Sequence, residues 1–313
     1  MYSFIGVINI RRFKNILLLI SSLILISLAA CGTLGNKSVD GWEWQNPLSQ
    51  NNPLLGVWGS SPADVFAVGY KSTILHYNGT SWSAMSSDAS YDLLGVWGNS
   101  STDVYAVGYD GIILHYDGTS WSAISSGTTL WLGSIWGSSS SNIFAVGEEG
   151  TIMHYNGTSW STMSSGTQKE LYKVWGSSSS DIFVVGDGGI ILHYDGTSWS
   201  TMSSGTTAWL GSMWGSSSSD IFAVGEEGTI MHYNGTSWSA ISSGTTAWLG
   251  SMWGSSSSDI FAVGEEGTIM HYNGTSWSAM SSGTTESLWG VWGSSSHDVF
   301  AVGEEGTILH LSE

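Results

Sequence analysis

Seven histidines recur at a fixed interval: His76, His115, His154, His193, His232, His271 and His310, each 39 residues after the last. Imidazoles in such a series could ligate metal, or act as bases beside the plentiful serines and aspartates. The spacing argues against both. Each His falls in its own repeat, so equivalent rings stand too far apart to share an ion at bonds of about 2.0–2.1 Å. The serines fill repeated turns, and no Ser–His–Asp set differs from its copies. No G-x-S-x-G elbow, phosphate-binding loop or H-E-x-x-H helix occurs. A structural His, bonded to backbone or to a hydroxyl, is therefore expected at each position. His297 lies outside the series, in a Ser-Ser-His-Asp turn, and reads as solvated. The sequence reads as a non-enzyme with no metal or cofactor motif.

The chemistry that remains is recognition. Paired carboxylates recur at Glu148-Glu149, Glu226-Glu227, Glu265-Glu266 and Glu304-Glu305, with Asp110 and Asp187 in the same turn of two other repeats. Trp131, Trp209 and Trp248 share one repeat position, and Trp289 stands two residues further on in its own repeat. Where Trp209 stands, other repeats carry Pro53, Asp92, Glu170 and Ser287, so the fold does not demand an aromatic residue there. An indole face beside carboxylates suits a sugar or a protein hot spot. These four Trp and eight Glu are the candidate ligand-binding residues.

The elements that must position them follow from the repeat. A Val/Ile/Met-Trp-Gly tripeptide places Trp58, Trp97, Trp136, Trp175, Trp214, Trp253 and Trp292 at steps of 39 residues, and residues 203–240 are identical to residues 242–279. In the fifth unit the strands read Leu210 to Gly215, Ile221 to Gly225, Thr229 to Tyr233, and Ser237 to Ala240, with Asn234-Gly235 as a hairpin turn. No 3.6-residue periodicity appears, so the chain is expected to be all-β. Seven four-stranded units of equal length predict a seven-bladed β-propeller over residues 40–313. The turn between strands two and three then lies at the same end as the link between units, which gathers the Trp and Glu candidates there. The termini support closure. Asp40 to Trp44, DGWEW, matches Asn78 to Trp82, NGTSW, and the last unit stops after three strands. The N-terminal strand is expected to complete the C-terminal blade, with Trp44 in the place of Trp82 and Trp42 as an additional Trp. Fourteen repeated Trp, at 58 to 292 and at 44 to 277, read as packing between blades.

At this level of detail a resemblance is visible. FAVGEEGTI followed by Asp/Asn-Gly-Thr-Ser-Trp resembles the repeats of photosystem II assembly-factor-type propellers and, more loosely, the Asp-box (BNR) repeats of sialidases. It covers essentially all of residues 40–313. The resemblance implies a propeller and, from the assembly factors, a docking role. Sialidases hold their substrate carboxylate with an arginine cluster, and no Arg occurs after Arg12, so that activity is not expected. Asn replaces Asp in the Asp-box-like turn at Asn78, Asn156, Asn234 and Asn273.

The first residues address the chain to a compartment. Arg11, Arg12 and Lys14 precede the apolar run Asn15 to Ala30, which is the layout of a secretory signal. Leu28-Ala29-Ala30-Cys31 resembles the lipobox of bacterial lipoproteins. That resemblance implies removal of residues 1–30 as a signal peptide and acylation of Cys31. Residues 31–39 would form the lipidated Cys and a short tether, and Gly32 after the Cys implies the outer membrane. From Cys31 onward the chain holds 25 acidic residues against Lys37, Lys71, Lys169 and Lys173, a net charge of −21 with His neutral. Such a surface repels nucleic acid and anionic head groups. Two function classes follow: an envelope-anchored module that binds a glycan or a protein, and a scaffold for assembling envelope proteins.

Overall fold

The computed structural model describes residues 40–45 and 51–312. Cys31 and the expected signal peptide and tether, residues 1–39, lie outside the described residues. Seven four-stranded antiparallel sheets make up the described chain. In the fifth blade the strands are Leu210–Ser217, Asp220–Gly225, Ile230–Tyr233 and Trp238–Ile241. The first strand therefore runs two residues beyond Gly215, and Ser216 and Ser217 belong to it rather than to the turn. A single 3-10 turn, Glu226–Gly228, joins strands two and three.

The apolar runs explain why the sheets stack. From Ile221 to Gly225 every residue of the second strand is buried. Side chains alternate across a strand, and here each face meets a different blade. Ile221 and Ala223 pack with Phe183 and Val185 of the fourth blade. Phe222 and Val224 pack with Leu249 and Ile260 of the sixth. A strand buried on both faces carries no polar alternation.

The first strands lie side by side around one axis. Each contacts the first strand of the next blade, and Leu288–Ser295 of the seventh contacts Leu54–Ser61 of the first. The Trp-Gly dipeptide is the device for this approach. A Cβ on Gly98 would lie 2.5 Å from the ring of Trp58, and one on Gly59 would lie 2.5 Å from Trp292. Each indole occupies the space that a side chain on the neighbouring blade's Gly would need.

The N-terminal strand Trp42–Trp44 pairs antiparallel with Ile308–Ser312 and completes the seventh blade. Its register corrects one expectation. Trp42 lies opposite Leu311, as Trp82 lies opposite Tyr77, so Trp42 rather than Trp44 takes the repeat's outer-strand position. Trp42 is fully buried and meets Phe261 of the sixth blade edge-on, with ring centroids 6.2 Å apart. Trp82 meets Phe300 in the same way at 5.8 Å. Trp44, opposite Leu309, is only partly buried.

Candidate binding face

Each turn between strands two and three is tied to the link that enters the same blade. The backbone N–H of Glu226 donates to the Trp209 carbonyl at 2.9 Å, that of Glu265 to Trp248 at 3.0 Å, and that of Glu304 to Ser287 at 2.9 Å. In the third blade the tie is double. Glu148 N–H donates to the Trp131 carbonyl at 3.0 Å, and Trp131 N–H donates to the Glu148 carboxylate at 3.1 Å. The predicted Trp and Glu residues therefore do share one end of the ring.

Within each Glu pair the two side chains differ. Glu148, Glu226, Glu265 and Glu304 are half-buried, whereas Glu149, Glu227, Glu266 and Glu305 are exposed. The exposed ones also sit in the left-handed region, with φ from 51° to 54°. The Gly that follows adopts it too, Gly228 at 67° after Glu227 at 54°. That conformation is costly for a residue with a Cβ, and the fourth blade has Gly188 there instead.

The aromatic residues lie beside the axis-lining strands. Trp131 is 9% exposed and stacks on Tyr172 at 6.1 Å with the rings only 7° from parallel. Trp248 covers Gly250 of its own strand and Gly211 of the preceding blade, and meets Trp289 at 5.3 Å. Trp209 and Trp289 are half-buried. Blades three to seven thus each contribute an aromatic ring to this end of the axis. Blades one and two carry Leu55 and Leu94 at the position of Tyr172 and Trp289.

The carboxylates crowd one another. Burial pushes the Glu170 carboxyl above the usual range, helped by Glu148, Asp187 and Glu149, although the Glu149 N–H it accepts works the other way. Burial does the same at Glu304, with Glu286, Glu305 and Glu265 adding repulsion. Lys169, which is close by, spends its ammonium on the Gly188 carbonyl at 3.1 Å rather than on a carboxylate.

The histidines take a partner other than the expected backbone or hydroxyl. His76 Nε2 lies 2.7 Å from Asp64 Oδ1, and five further blades repeat the pair within 0.1 Å. Strand pairing brings the two together, because the aspartate opens the second strand and the His lies in the third. Ser60 donates to the other oxygen of Asp64 at 2.5 Å. The order Ser, Asp, His leaves the hydroxyl off the imidazole, so this is no nucleophile-and-base pair. In the third blade Asn142 replaces the acid: its Oδ1 lies 2.7 Å from His154 Nε2, and its amide donates to Ser138. An amide oxygen can only accept, which fixes the proton on Nε2. Burial lowers the pKa of His154 below the ordinary imidazole value. Among the described residues no three His, Asp or Glu side chains converge as metal ligands would.

Two residues beside the aromatic arc were passed over in the sequence. Tyr172 and Lys173 interrupt the repeat inside an axis-lining strand. At the position of Lys173 the other blades carry Gly56, Gly95, Ser134, Ser212, Ser251 and Gly290. The signal was available as a departure from the repeat at one internal position.

Fold and face together define a closed seven-bladed propeller with an acidic, aromatic end. Its structural neighbours include YCF48 and a WD40 propeller. A structure of YCF48 bound to D1 peptide is similar with a TM-score of 0.74 at 17% identity, over 89% of this chain and 99% of that one. YCF48 from Cyanidioschyzon merolae is similar with a TM-score of 0.70 at 14% identity, over 87% of this chain and 98% of that one. The WD40 propeller domain of Doa1 is similar with a TM-score of 0.73 at 12% identity, over 86% of this chain and 97% of that one. At these identities the likeness is one of fold. No protein-family pattern matches the sequence. No curated protein matches it either.

Proposed function

We propose that the protein is a non-catalytic docking propeller, and that its acidic, aromatic end binds a basic segment of a partner protein. The observation that carries this reading is the shared placement of the Trp131, Trp209, Trp248 and Trp289 rings with the crowded carboxylates around Glu170 and Glu304. Like charges held together raise the free energy of the unbound face, and a cationic partner relieves it. Arg and Lys side chains also stack on indole faces. YCF48, a propeller of the same fold, has been solved with a peptide bound. A glycan remains the second ligand class that indole and carboxylate could serve.

The test is calorimetric titration with an arginine-rich peptide, beside a glycan array. Binding should weaken as salt rises, because the contact is electrostatic. Replacing Trp131, Trp209 and Trp248 together by Ser should weaken it by at least about tenfold, with the fold retained by circular dichroism. Trp209→Ser alone copies Ser287 and should cost little stability. Glycan binding without affinity for basic peptides overturns the reading.

We further propose that Cys31 carries a lipid anchor and that the propeller works in a bacterial envelope, at the outer membrane. The lipobox-like Leu28-Ala29-Ala30-Cys31 supports this. Two or more acyl chains hold a protein stably, where one holds it only marginally. Cys31→Ser should release the protein from membranes or leave it as unprocessed precursor. An intact mass without lipid on the native protein rules the anchor out.

A further inference from the structure

One groove recurs in the second, fourth and sixth blades, beside the outer strand and the turn that joins strands two and three. In the second blade Asp110, Gly111 and Ile124 line it; in the fourth, Gly188, Gly189 and Met202; in the sixth, Glu266, Gly267 and Met280. What covers it differs. Tyr91 and Lys169 share one repeat position, and each lines the groove of its own blade. The Tyr91 hydroxyl donates to the Asp110 carboxylate, and the Lys169 ammonium donates to the Gly188 carbonyl at 3.1 Å. Both acceptors belong to the left-handed residue of the turn, with φ of 57° and 58°. The sixth blade has Glu266 at that turn position, but Ala247 where Tyr91 and Lys169 stand. A methyl group cannot reach the turn. The sixth-blade groove, about 690 Å³, is therefore left uncovered by its own link. Among the described residues the Glu266 carboxylate has no hydrogen bond or ion pair.

The chain reaches this groove from its N-terminal side. Asp40, where the described chain begins, accepts the backbone N–H of Ser281 at 2.8 Å, and Ser281 lines the sixth-blade groove. Lys37 stands three residues before Asp40. Three residues span at most about 11 Å, and a Lys stem lies along apolar surface while its ammonium seeks a polar partner. We propose that Lys37 docks in the sixth-blade groove, with its ammonium on Glu266 and its stem along Met280, as the blade's substitute for Lys169. The occupant is this chain's own segment 36–39. Charge selects it, because Asn36-Lys37-Ser38-Val39 carries one cation and no acid, and the groove offers an unpaired carboxylate. An exposed ion pair is weak by itself. Covalent continuity through Asp40 supplies the high local concentration that makes it form. The contact stands whether or not Cys31 is acylated. With the anchor proposed above, it shortens the free tether to residues 32–36, so the ring is held by its sixth-blade rim.

The test is zero-length carbodiimide coupling of the native protein, read by peptide mass spectrometry. The amide between Lys37 and Glu266 should be the dominant product of Lys37. Glu227 and Glu305 hold the same turn position in the fifth and seventh blades and should give little. Coupling spread evenly over the three, or missing at Glu266, overturns the proposal. Two variants give a second reading through the rate of tryptic cleavage after Lys37. Ala247→Lys copies the fourth blade, so it should fold and fill the groove from its own link. It should abolish the Lys37–Glu266 amide and speed cleavage. Glu266→Gln removes the charge and should speed cleavage by about two- to fivefold, the scale of one exposed ion pair. Cleavage after Lys37 that is unchanged in both variants overturns the docking as well.

Discussion

At the residue scale, replacing one oxygen by an amide changes how a blade responds to pH. Asn142 stands where six blades have Asp, and it holds His154 by an oxygen that can only accept. Burial lowers the pKa of His154, and Asn142 brings no negative charge to offset it. As pH falls below the ordinary imidazole range near 6.5, the unfolded chain takes up a proton that the folded chain refuses. Stability present above that pH is lost on acidification. Asn142→Asp supplies a charge for the imidazolium, so this part of the loss should vanish. Melting of wild type and variant at pH 7.5 and 5.5 checks it, and an unchanged gap between the two pH values refutes it. The histidine series was plain in the sequence, but its partner was not. Asp64 is twelve residues from His76, and only the pairing of strands two and three places them together. The same limit applies to the face. Trp131, Trp209 and Trp248 stood out as departures from the repeat, whereas Tyr172 and Lys173 gain meaning only once their strand is known to line the axis.

At the scale of the element, the closing strand shows how far spacing can be read. DGWEW contains two Trp separated by one residue. A strand has a side-chain period of two, so either Trp could face the core, and a match of letters favoured Trp44. Pairing decides otherwise. Gln45 N–H donates to the Ile308 carbonyl at 2.8 Å, and the Gln45 amide donates to His310 Nδ1 at 3.0 Å. Those bonds set Trp42 against Leu311 and Phe261. Trp42→Ala should then cost about 3–5 kcal/mol, as truncation of a core Trp does. Trp44→Ala should cost roughly 1–2 kcal/mol, in line with its partial burial. Denaturant melts of the two variants give the comparison. Equal costs, or the reverse order, contradict the register.

At the scale of the whole molecule, stability comes from seven interfaces between blades rather than from one centre. Each blade buries both faces, and the interface of blades seven and one joins Phe300 and Val302 to Leu54 and Val65. The repeat made this ring legible, because a missing fourth strand at one end and a surplus one at the other have a single solution. Closing so long a loop costs little more than closing a short one. The outer strand therefore clamps the termini at small entropic expense. A chain starting at residue 51 keeps every first, second and third strand but leaves Ile308–Ser312 as an unpaired edge, with the Phe261 side of the sixth blade uncovered. Losing the buried Trp42 and the strand pairing together removes several kcal/mol. For a domain of this size that lowers the melting temperature by on the order of 10 °C. The bare edge should also associate with copies of itself. Adding a peptide of residues 40–50 in trans should restore the melting temperature and the monomer, because the strand pairs by backbone bonds and one buried indole. A truncated chain that melts like the full one, or that ignores the peptide, shows that the ring does not depend on its closing strand.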